Sequence, residues 1–503
     1  MTQSDQLPET GPLVLAIDAG GTAVKLALMD RQGAIAALTT ADVTTDYRPN
    51  GWVERDGIAF WAAVACAIRN LVTPAYAVRL VAVGCTGFGN GVFLTDSDGQ
   101  PTRPGIVSVD HRAKPLVDAL HRAGRDAALG AMCGSRLWGG QTVMQLAGLA
   151  EAEPQVLARS TWALSCKDYL RYCLTGTAAT DPTDASGGGL MRADGQGYAT
   201  DLLAELGQPG LARLLPPLRP SAGVAGHVCA RAAALTGLPE GLPVAGGMMD
   251  VAACALGAGV TSGDRMVMIA GTWAINGLEV QAPPRESPPI LNMVHRDGAA
   301  RLVAEGSPSS AANLGWFLSR ALGGRVTVQE AMKLVAASPV NGPRGQFLPY
   351  VLGPKPRQGG FVDLTAADDL GSMLRAICEG VAFQHRRHAE EIMPHAGAQA
   401  PSAIRLTGGA ARSPVWAQIF ADVCGLPVET VTAPEVGALG AAICAAVAGG
   451  LYPDLATASA AMCASDGICR PDPGKAALYD ARYSEFRRLD RGMLALAEQG
   501  TDG

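Results

Sequence analysis

Short apolar runs alternate with glycine-rich turns along the chain. Residues 13–19 (LVLAIDA) form an apolar run closing on Asp and Gly, the pattern of a buried strand. Gly20-Gly21-Thr22 makes a tight turn, residues 23–30 (AVKLALMD) alternate as a second strand, and Arg31-Gln32-Gly33 turns into a third over 34–39. An antiparallel meander therefore opens the chain. Trp52 to Asp56 reads as a loop entering helix 56–72, with Asp56 as N-cap, and strand 79–84 follows. The middle, about 110–240, is mostly helical, with Gly/Pro/Asp-rich breaks at 181–189 and 207–220. Strand 243–246 leads through Gly246-Gly247-Met248-Met249-Asp250 into a buried helix over 251–258. A second meander starts near 265: strand 266–270, the turn Gly271-Thr272, strand 273–280, and a return at 301–305. Helix 369–394, strand 403–407, Gly408-Gly409, helix 413–424 and an Ala-rich helix 437–449 complete the pattern. The last fifty residues read as helical with a frayed end. The order strand, Gly-Thr turn, strand, strand, helix thus occurs at 13–72 and again at 266–322, as a shared pattern without a residue-level repeat. Two αβ domains meeting near residue 258 are the economical expectation.

Composition narrows this picture. At 503 residues, two large domains are the natural expectation. Forty basic against 46 acidic residues leave a net charge of −6, which argues against a nucleic-acid binder. Apolar residues make up 48% and charged residues 17%, enough to bury large cores. With 62 Gly and 5% aromatics, the interior suits close helix–sheet packing. Twelve Cys carry no C-x-x-C pair, and several (Cys66, Cys85, Cys254, Cys378, Cys444) sit in apolar runs as small hydrophobes. The polar stretch Met1 to Gly11 lacks the basic and apolar regions of a signal peptide. Val436 to Tyr452, the longest apolar stretch, is short for a membrane span and reads as a buried helix. A soluble cytoplasmic protein is expected, with no nucleic-acid or membrane partner. The oligomeric state is left open, a homodimer being one form it could take.

Four turns carry candidate chemistry. Asp18-Ala19-Gly20-Gly21-Thr22, with Lys25 just beyond, offers successive backbone N–H groups to an anion, and Asp18 can hold Mg²⁺ through water. An ordinary hairpin turn is the alternative. Gly271-Thr272 repeats the device, with a hydroxyl for a phosphate oxygen. Leu406-Thr407-Gly408-Gly409-Ala410 ends a strand and opens a helix, where a flat ring can lie on backbone. Asp250 follows an apolar strand and is either a general base toward a hydroxyl or a helix cap. Thr86-Gly87-Phe88-Gly89-Asn90-Gly91 fails the G-x-G-x-x-G spacing and reads as a loop closing on a small polar ligand. Ser108-Val109-Asp110-His111-Arg112 adds hydrogen-bonding groups, although Asp110 and Arg112 could equally form a surface ion pair. His385 and His388 share a helix face near Glu390 and Glu391; a solvated polar face is the expectation over metal ligation. No Walker A, G-x-S-x-G or H-E-x-x-H sequence occurs.

In this order, over about 13–450, these pieces resemble the FGGY carbohydrate kinases. Asp18 to Thr22 with Lys25 resembles the first phosphate motif, and Gly246 to Asp250 with Ala255-Leu256-Gly257 the catalytic-base motif. Gly271-Thr272 resembles the second phosphate motif, and Thr407 to Ser413 with Trp416, after Glu379 to Phe383, the adenosine motif. The resemblance implies two actin-like (RNase H-like) ATPase domains with an interdomain active-site cleft. The implied boundaries are 12–257 for a sugar-side domain, 258–450 for a nucleotide-side domain and 451–503 for a helical extension. It further implies γ-phosphoryl transfer from ATP, with Mg²⁺, to a sugar or polyol hydroxyl. Asp250 would take the proton and touch substrate, and Asp18 would position the metal. Gly20, Gly21, Thr22, Lys25, Gly271 and Thr272 would serve the phosphates, and Gly408, Gly409 and Ser413 the adenosine. Phe88, Gly89, Asn90, Ser108, Asp110 and Trp138 would line the sugar.

Gly271 to Asn276, Glu305 to Ser310 and Asn313 to Phe317 look most like L-xylulose (3-keto-L-gulonate) kinases. Cys166 to Leu170 and Ala179 to Ser186 also resemble erythritol kinases. Phe88-Gly89 replaces the Met-His pair usual in D-xylulose kinases, which disfavours that sugar. The loop after Phe347-Leu348-Pro349-Tyr350, with Lys355 and Arg357, departs from the family pattern. The expectation is a ketopentose kinase acting on L-xylulose. The alternatives are an erythritol-type polyol kinase and a non-kinase ATPase of the actin and chaperone type.

Overall fold

The computed structural model describes residues 11–281, 288–298, 300–342, 345–352, 357–397, 400–431 and 433–499. The first ten residues and Lys355 lie outside them. The chain forms two units: one of residues up to Thr261, Val280–Val303 and Glu435–Ala464, the other of Ser262–Glu279, Ala304–Pro434 and residues from Ser465.

The first unit opens with strands β1 (Leu13–Ala19), β2 (Ala23–Met29) and β3 (Ile35–Asp42), paired antiparallel in sequence. Strand β4 (Val53–Arg55) leads into helix α1 (Gly57–Leu71), whose Asp56 cap accepts the Ala59 N–H at 3.0 Å. Strand β5 (Leu80–Gly87) lies parallel to β1 on its other side, so β1 is central and buried almost throughout. Helices α2 (Cys166–Thr175) and α3 (Pro182–Gly187) follow. Strands β6 (Val224–His227), β7 (Pro243–Ala245) and β8 (Met248–Met249) complete the sheet, which runs β6-β7-β5-β1-β2-β3 with β8 also parallel to β5. Helix α4 (Asp250–Gly257) leaves β8 directly.

The second sheet begins with β9 (Arg265–Ala270) and β10 (Ala274–Val280), again antiparallel. Strands β11 (Leu291–His295) and β12 (Ala300–Ser307), and helices α5 (Val328–Ala337) and α6 (Leu370–Ile392), come next. Strand β13 (Ala403–Gly408) is parallel to β9, helix α7 (Pro414–Cys424) follows, and β14 (Val428–Thr430) is parallel to β13. Helix α8 (Val436–Ala448), strand β15 (Gly467–Cys469) and helix α9 (Ala476–Gln499) end the chain. The sheet order is β11-β12-β10-β9-β13-β14-β15. Its core β12-β10-β9-β13-β14 repeats β3-β2-β1-β5-β7, so the doubled meander read from the pattern is a doubled sheet.

Helix α8 is buried and belongs to the first unit, against α4, β5 and β1. Glycine makes that approach feasible. A Cβ at Gly440 would stand 2.0 Å from Ala253 O, and one at Gly84 2.1 Å from Ala441 O. Several expectations need correction. Residues 53–55 are a strand buried on both faces, because Glu54 is paired with Arg103 and Arg112 on one side while Arg55 bonds Gly21 O and Thr45 on the other. The break at 181–189 contains α3, started by Asp181 accepting the Thr183 and Asp184 N–H groups, with Pro182 in the first turn. Strand 291–295 was not expected, and the last fifty residues include β15 as an edge strand. Cys66 is exposed rather than a core hydrophobe.

Candidate active site

Register on β1 and β2 sets Asp18 opposite Lys25, with the 20–22 turn beyond them. Gly20 N–H closes this turn onto Ala23 O at 3.0 Å. Thr22 is exposed at its tip, and Lys25 Nζ reaches Glu435 Oε2 at 2.7 Å. Asp18 faces the first turn of α8, where a Cβ at Gly437 would lie 2.5 Å from its Oδ2. Burial pushes the Asp18 carboxyl up to about 7; the Asp250 charge adds to this, Lys25 opposes it and Glu435 adds a little. A carboxylate so short of positive charge suits a hard divalent cation, which takes one or two carboxylates and completes its shell with water and phosphate oxygens. Among the described residues no cluster of three or more donors forms an all-protein cage.

Asp250 is held by a tightly specified turn. Gly247 has φ +77°, and a Cβ there would stand 2.1 Å from Cys85 O; one at Gly246 would stand 2.3 Å from Pro220 O. Thr86 Oγ1 donates to Met248 O at 2.8 Å, and Met249 N–H donates to Thr183 Oγ1 at 2.8 Å. Beneath lies a buried charge cluster. Lys167 Nζ meets Asp168 at 2.7 Å, Asp181 at 2.9 Å and Asp184 at 3.0 Å, and Arg171 bonds Asp168 and Gly246 O. The two stretches resembling erythritol kinases therefore meet as this support. Burial raises the Asp250 carboxyl to about 6, with the Val251 and Gly89 N–H groups opposing. It starts α4, accepting the Val251 N–H at 2.8 Å, while Met249 occupies the cap position.

The expected sugar-side residues divide. Gly89 packs on Met249, where a Cβ would fall 2.0 Å from its Cε. Asn90 is buried at φ +62°, its Oδ1 accepting the Thr142 N–H at 3.4 Å. Phe88 turns its ring into the core beside Phe93. Ser108 O lies beside Gly140, which also packs on the Trp138 ring. Asp110 is fully engaged. Its carboxylate accepts the Val53 N–H at 2.6 Å, the Arg112 N–H and Nε, and Arg112 Nη2 at 2.8 Å, a buried pair rather than a surface one. Sequence reasoning missed Gln141 and Gln145. Both are fully buried, and their amide atoms, like Trp138 Nε1, lack a hydrogen-bond partner among the described residues. Gln141 packs at Gly189 while Met249 packs at Gly187, so one short segment links it to the Asp250 turn. Two glutamines one helical turn apart were the available signal.

In the second unit, Gly271 and the exposed Thr272 turn between β9 and β10, and Ala312 N–H donates to Gly271 O at 3.2 Å. Gly408 has φ +90°, with a Cβ position 2.6 Å from Ala270 O. Gly409 N–H donates to Ala270 O at 2.9 Å, and Ser413 Oγ caps α7 by accepting the Trp416 N–H. Gly409, Arg412 and Ser413 line an open cavity of about 510 Å³, whose other wall is Met332, Lys333 and Ala336 of α5. Nothing in the local sequence of α5 announced this. His385 and His388 correct the expectation of a solvated face. Both are buried; Asn276 bonds His385 Nδ1 at 2.8 Å and His388 Nδ1 at 3.0 Å, and Ser310 Oγ bonds His385 Nε2 at 3.0 Å. Burial pushes His385 down to about 3, so it is neutral. Asn276, Ser307, Ser310 and Asn313, from the three stretches resembling L-xylulose kinases, thus gather around this network beside the 271–272 turn.

Two sheets of one strand order, each with a glycine turn after its first strand, define the two-domain actin-like (RNase H-like) class of ATP-dependent phosphotransferases. The chain belongs to the FGGY family of carbohydrate kinases. The family's N-terminal domain matches residues 13–257 and its C-terminal domain residues 266–449. Its relatives include the L-xylulose/3-keto-L-gulonate kinase of Escherichia coli (strain K12), 32% identical over 481 residues, covering 94% of this chain and 96% of that protein. The erythritol kinase of Brucella abortus (strain 2308) is 30% identical over 478 residues, covering 88% and 89%. Among solved structures, the xylulose kinase from Rhodospirillum rubrum superposes with a TM-score of 0.86 at 28% identity, covering 97% of this chain and all of that one. The protein is an ATP-dependent sugar kinase, and among the described residues no helix is long and apolar enough to cross a membrane.

Proposed function

We propose that the protein phosphorylates a ketopentose, L-xylulose first among candidates, at a hydroxyl deprotonated by Asp250. The observation that carries this is the Asp250 carboxyl, held at a rigid turn with its proton affinity raised to about 6. It is charged at neutral pH yet close enough to the working pH to accept a proton efficiently. Gln141, Gln145 and Trp138 Nε1 supply buried hydrogen-bonding capacity suited to a polyhydroxylated guest. In this reading Asn90 and Gly89 contribute from the loop beside Met249. Asp18 would hold Mg²⁺, which when bound neutralises phosphate charge. The 20–22 and 271–272 turns, with Lys25 near the first, receive phosphates, and Gly408, Gly409 and Ser413 receive adenosine. The cytoplasm, where ATP is made, is the proposed location.

The erythritol kinase relative, nearly as similar as the L-xylulose kinase relative, supports a second reading in which the acceptor is a tetritol. Sugar-stimulated ADP release, measured with MgATP against D- and L-pentuloses, erythritol and other polyols, separates them. The expected result is one strongly preferred ketopentose. Asp250→Asn should lower kcat by about 10²–10⁴-fold, the usual worth of general-base catalysis, with KM much less affected. Preference for erythritol moves the acceptor assignment, and comparable losses in kcat and sugar binding for Asp250→Asn remove the base role.

A further inference from the structure

Arg55 enters the core from β4 and is 1% exposed. No described carboxylate pairs with it; its polar contacts all go elsewhere. Nη2 donates to Gly21 O and to Thr45 Oγ1 at 2.8 Å, Nη1 approaches Gly20 O at 3.5 Å, and Nε donates to Thr45 Oγ1 at 3.3 Å. Thr45 Oγ1 also approaches Gly21 O at 3.5 Å. The guanidinium lies 4.9 Å from the Phe60 ring centroid and 5.4 Å from that of Phe88, which hold its plane and exclude water.

Peptide geometry makes this arrangement directional. A trans peptide is planar, so each C=O points opposite to the N–H of the following residue. With the carbonyls of Gly20 and Gly21 drawn toward Arg55, the N–H groups of Gly21 and Thr22 face the other way. Those are the donors that an anion approaching the turn would meet. A buried cation without an acidic partner also adds positive potential, which the low-dielectric surroundings screen weakly. Gly20 and Gly21 lack side chains, so these carbonyl contacts restrain peptides that would otherwise rotate easily.

We propose that Arg55, braced by Thr45, is the positioning residue of the first phosphate turn: it orients the Gly21 and Thr22 N–H groups toward the transferring phosphate of ATP and supplies unneutralised positive charge behind them. This rests on the 20–22 turn being a phosphate site. The role predicts dependence on the forked guanidinium as well as on charge, because two carbonyls are gripped at once.

The test uses the full chain as wild type, Arg55→Gln, Arg55→Lys and Thr45→Val, each checked by thermal unfolding. Binding of AMP-PNP with Mg²⁺, an ATP analogue that keeps a γ-phosphate, is measured by calorimetry without sugar, and kcat and KM for MgATP with whichever acceptor the sugar and polyol panel prefers. Arg55→Gln should weaken AMP-PNP binding and lower kcat/KM for MgATP by roughly 10–100-fold, the scale of lost charge-assisted hydrogen bonds, while KM for the sugar changes little. Millimolar guanidinium should restore part of this, Arg55→Lys should fall between, and Thr45→Val should show a smaller loss of the same kind. Hydrogen exchange in a peptide spanning 13–29 should quicken in Arg55→Gln. A folded Arg55→Gln with wild-type AMP-PNP affinity and MgATP kinetics overturns the proposal and leaves the kinase standing. If Arg55→Gln does not fold, Arg55→Lys decides, and wild-type MgATP kinetics there overturn the proposal. Wild-type protein that binds no AMP-PNP in the presence of Mg²⁺ overturns both this proposal and the phosphate-site reading.

Discussion

At the scale of single residues, adjacent glycines do different work. Gly408 has φ +90° and a Cβ position 2.6 Å from Ala270 O, whereas Gly409 meets only ordinary contacts at 3.7 Å. The first is required by the backbone, and the second leaves room beside the α5 cavity. Gly408→Ala should therefore lower the unfolding midpoint clearly, while Gly409→Ala should stay within about 0.5 kcal/mol of wild type. Gly409→Leu should raise KM for MgATP while leaving KM for sugar near wild type. Denaturant unfolding and initial-rate kinetics on the three variants check this; equal stability losses at 408 and 409 would contradict the distinction. The sequence alone shows Gly-Gly and cannot separate them, because the difference lies in φ and in how closely Ala270 of β9 approaches each residue.

At the scale of elements, α8 shows how an Ala- and Gly-rich helix earns a central position. Its small residues bring backbone against backbone at α4 and β5. Gly440→Ala would force a methyl to within 2.0 Å of Ala253 O. A loss of about 1–3 kcal/mol is expected from such overpacking, read as a lower urea midpoint at unchanged m-value. The apolarity of α8 was legible as burial, but its partners were not. It follows strands of the second sheet in the chain and packs with the first unit. The buried histidines of α6 were misread for a related reason: their partners, Asn276 and Ser310, lie on distant segments.

At the scale of the whole molecule, the candidate chemistry opposes stability. Asp18 and Asp250 have carboxyl pKa values raised to about 7 and about 6, above their unfolded values. The folded chain then holds protons that the unfolded chain has released, so their contribution to stability falls as pH rises from about 4 to 7. Replacing either by Asn removes that loss. The melting temperature of Asp250→Asn relative to wild type should climb between pH 5 and 7.5, while wild-type kcat/KM climbs with an acid limb near pH 6. A difference independent of pH, measured by calorimetry across that range, would contradict the assignment of burial as the cause.

Local pattern by itself determined the strands and helices flanking each turn, the doubled meander and the glycine-marked turns. These follow from alternation, apolar runs and backbone sterics over a few residues. Family resemblance, carried by motif order, named the expected roles of Asp18, Asp250 and the phosphate turns. Tertiary structure decided what surrounds them. It placed Arg55 behind Gly20 and Gly21, the Lys167 cluster beneath Asp250, and α5 across from Gly409. It also absorbed Asp110 into a buried pair. Those relations join segments tens to hundreds of residues apart. Whether a charged side chain is a ligand, a brace or a neutralised core group depends on the burial and partners that folding brings to it, which no local pattern records.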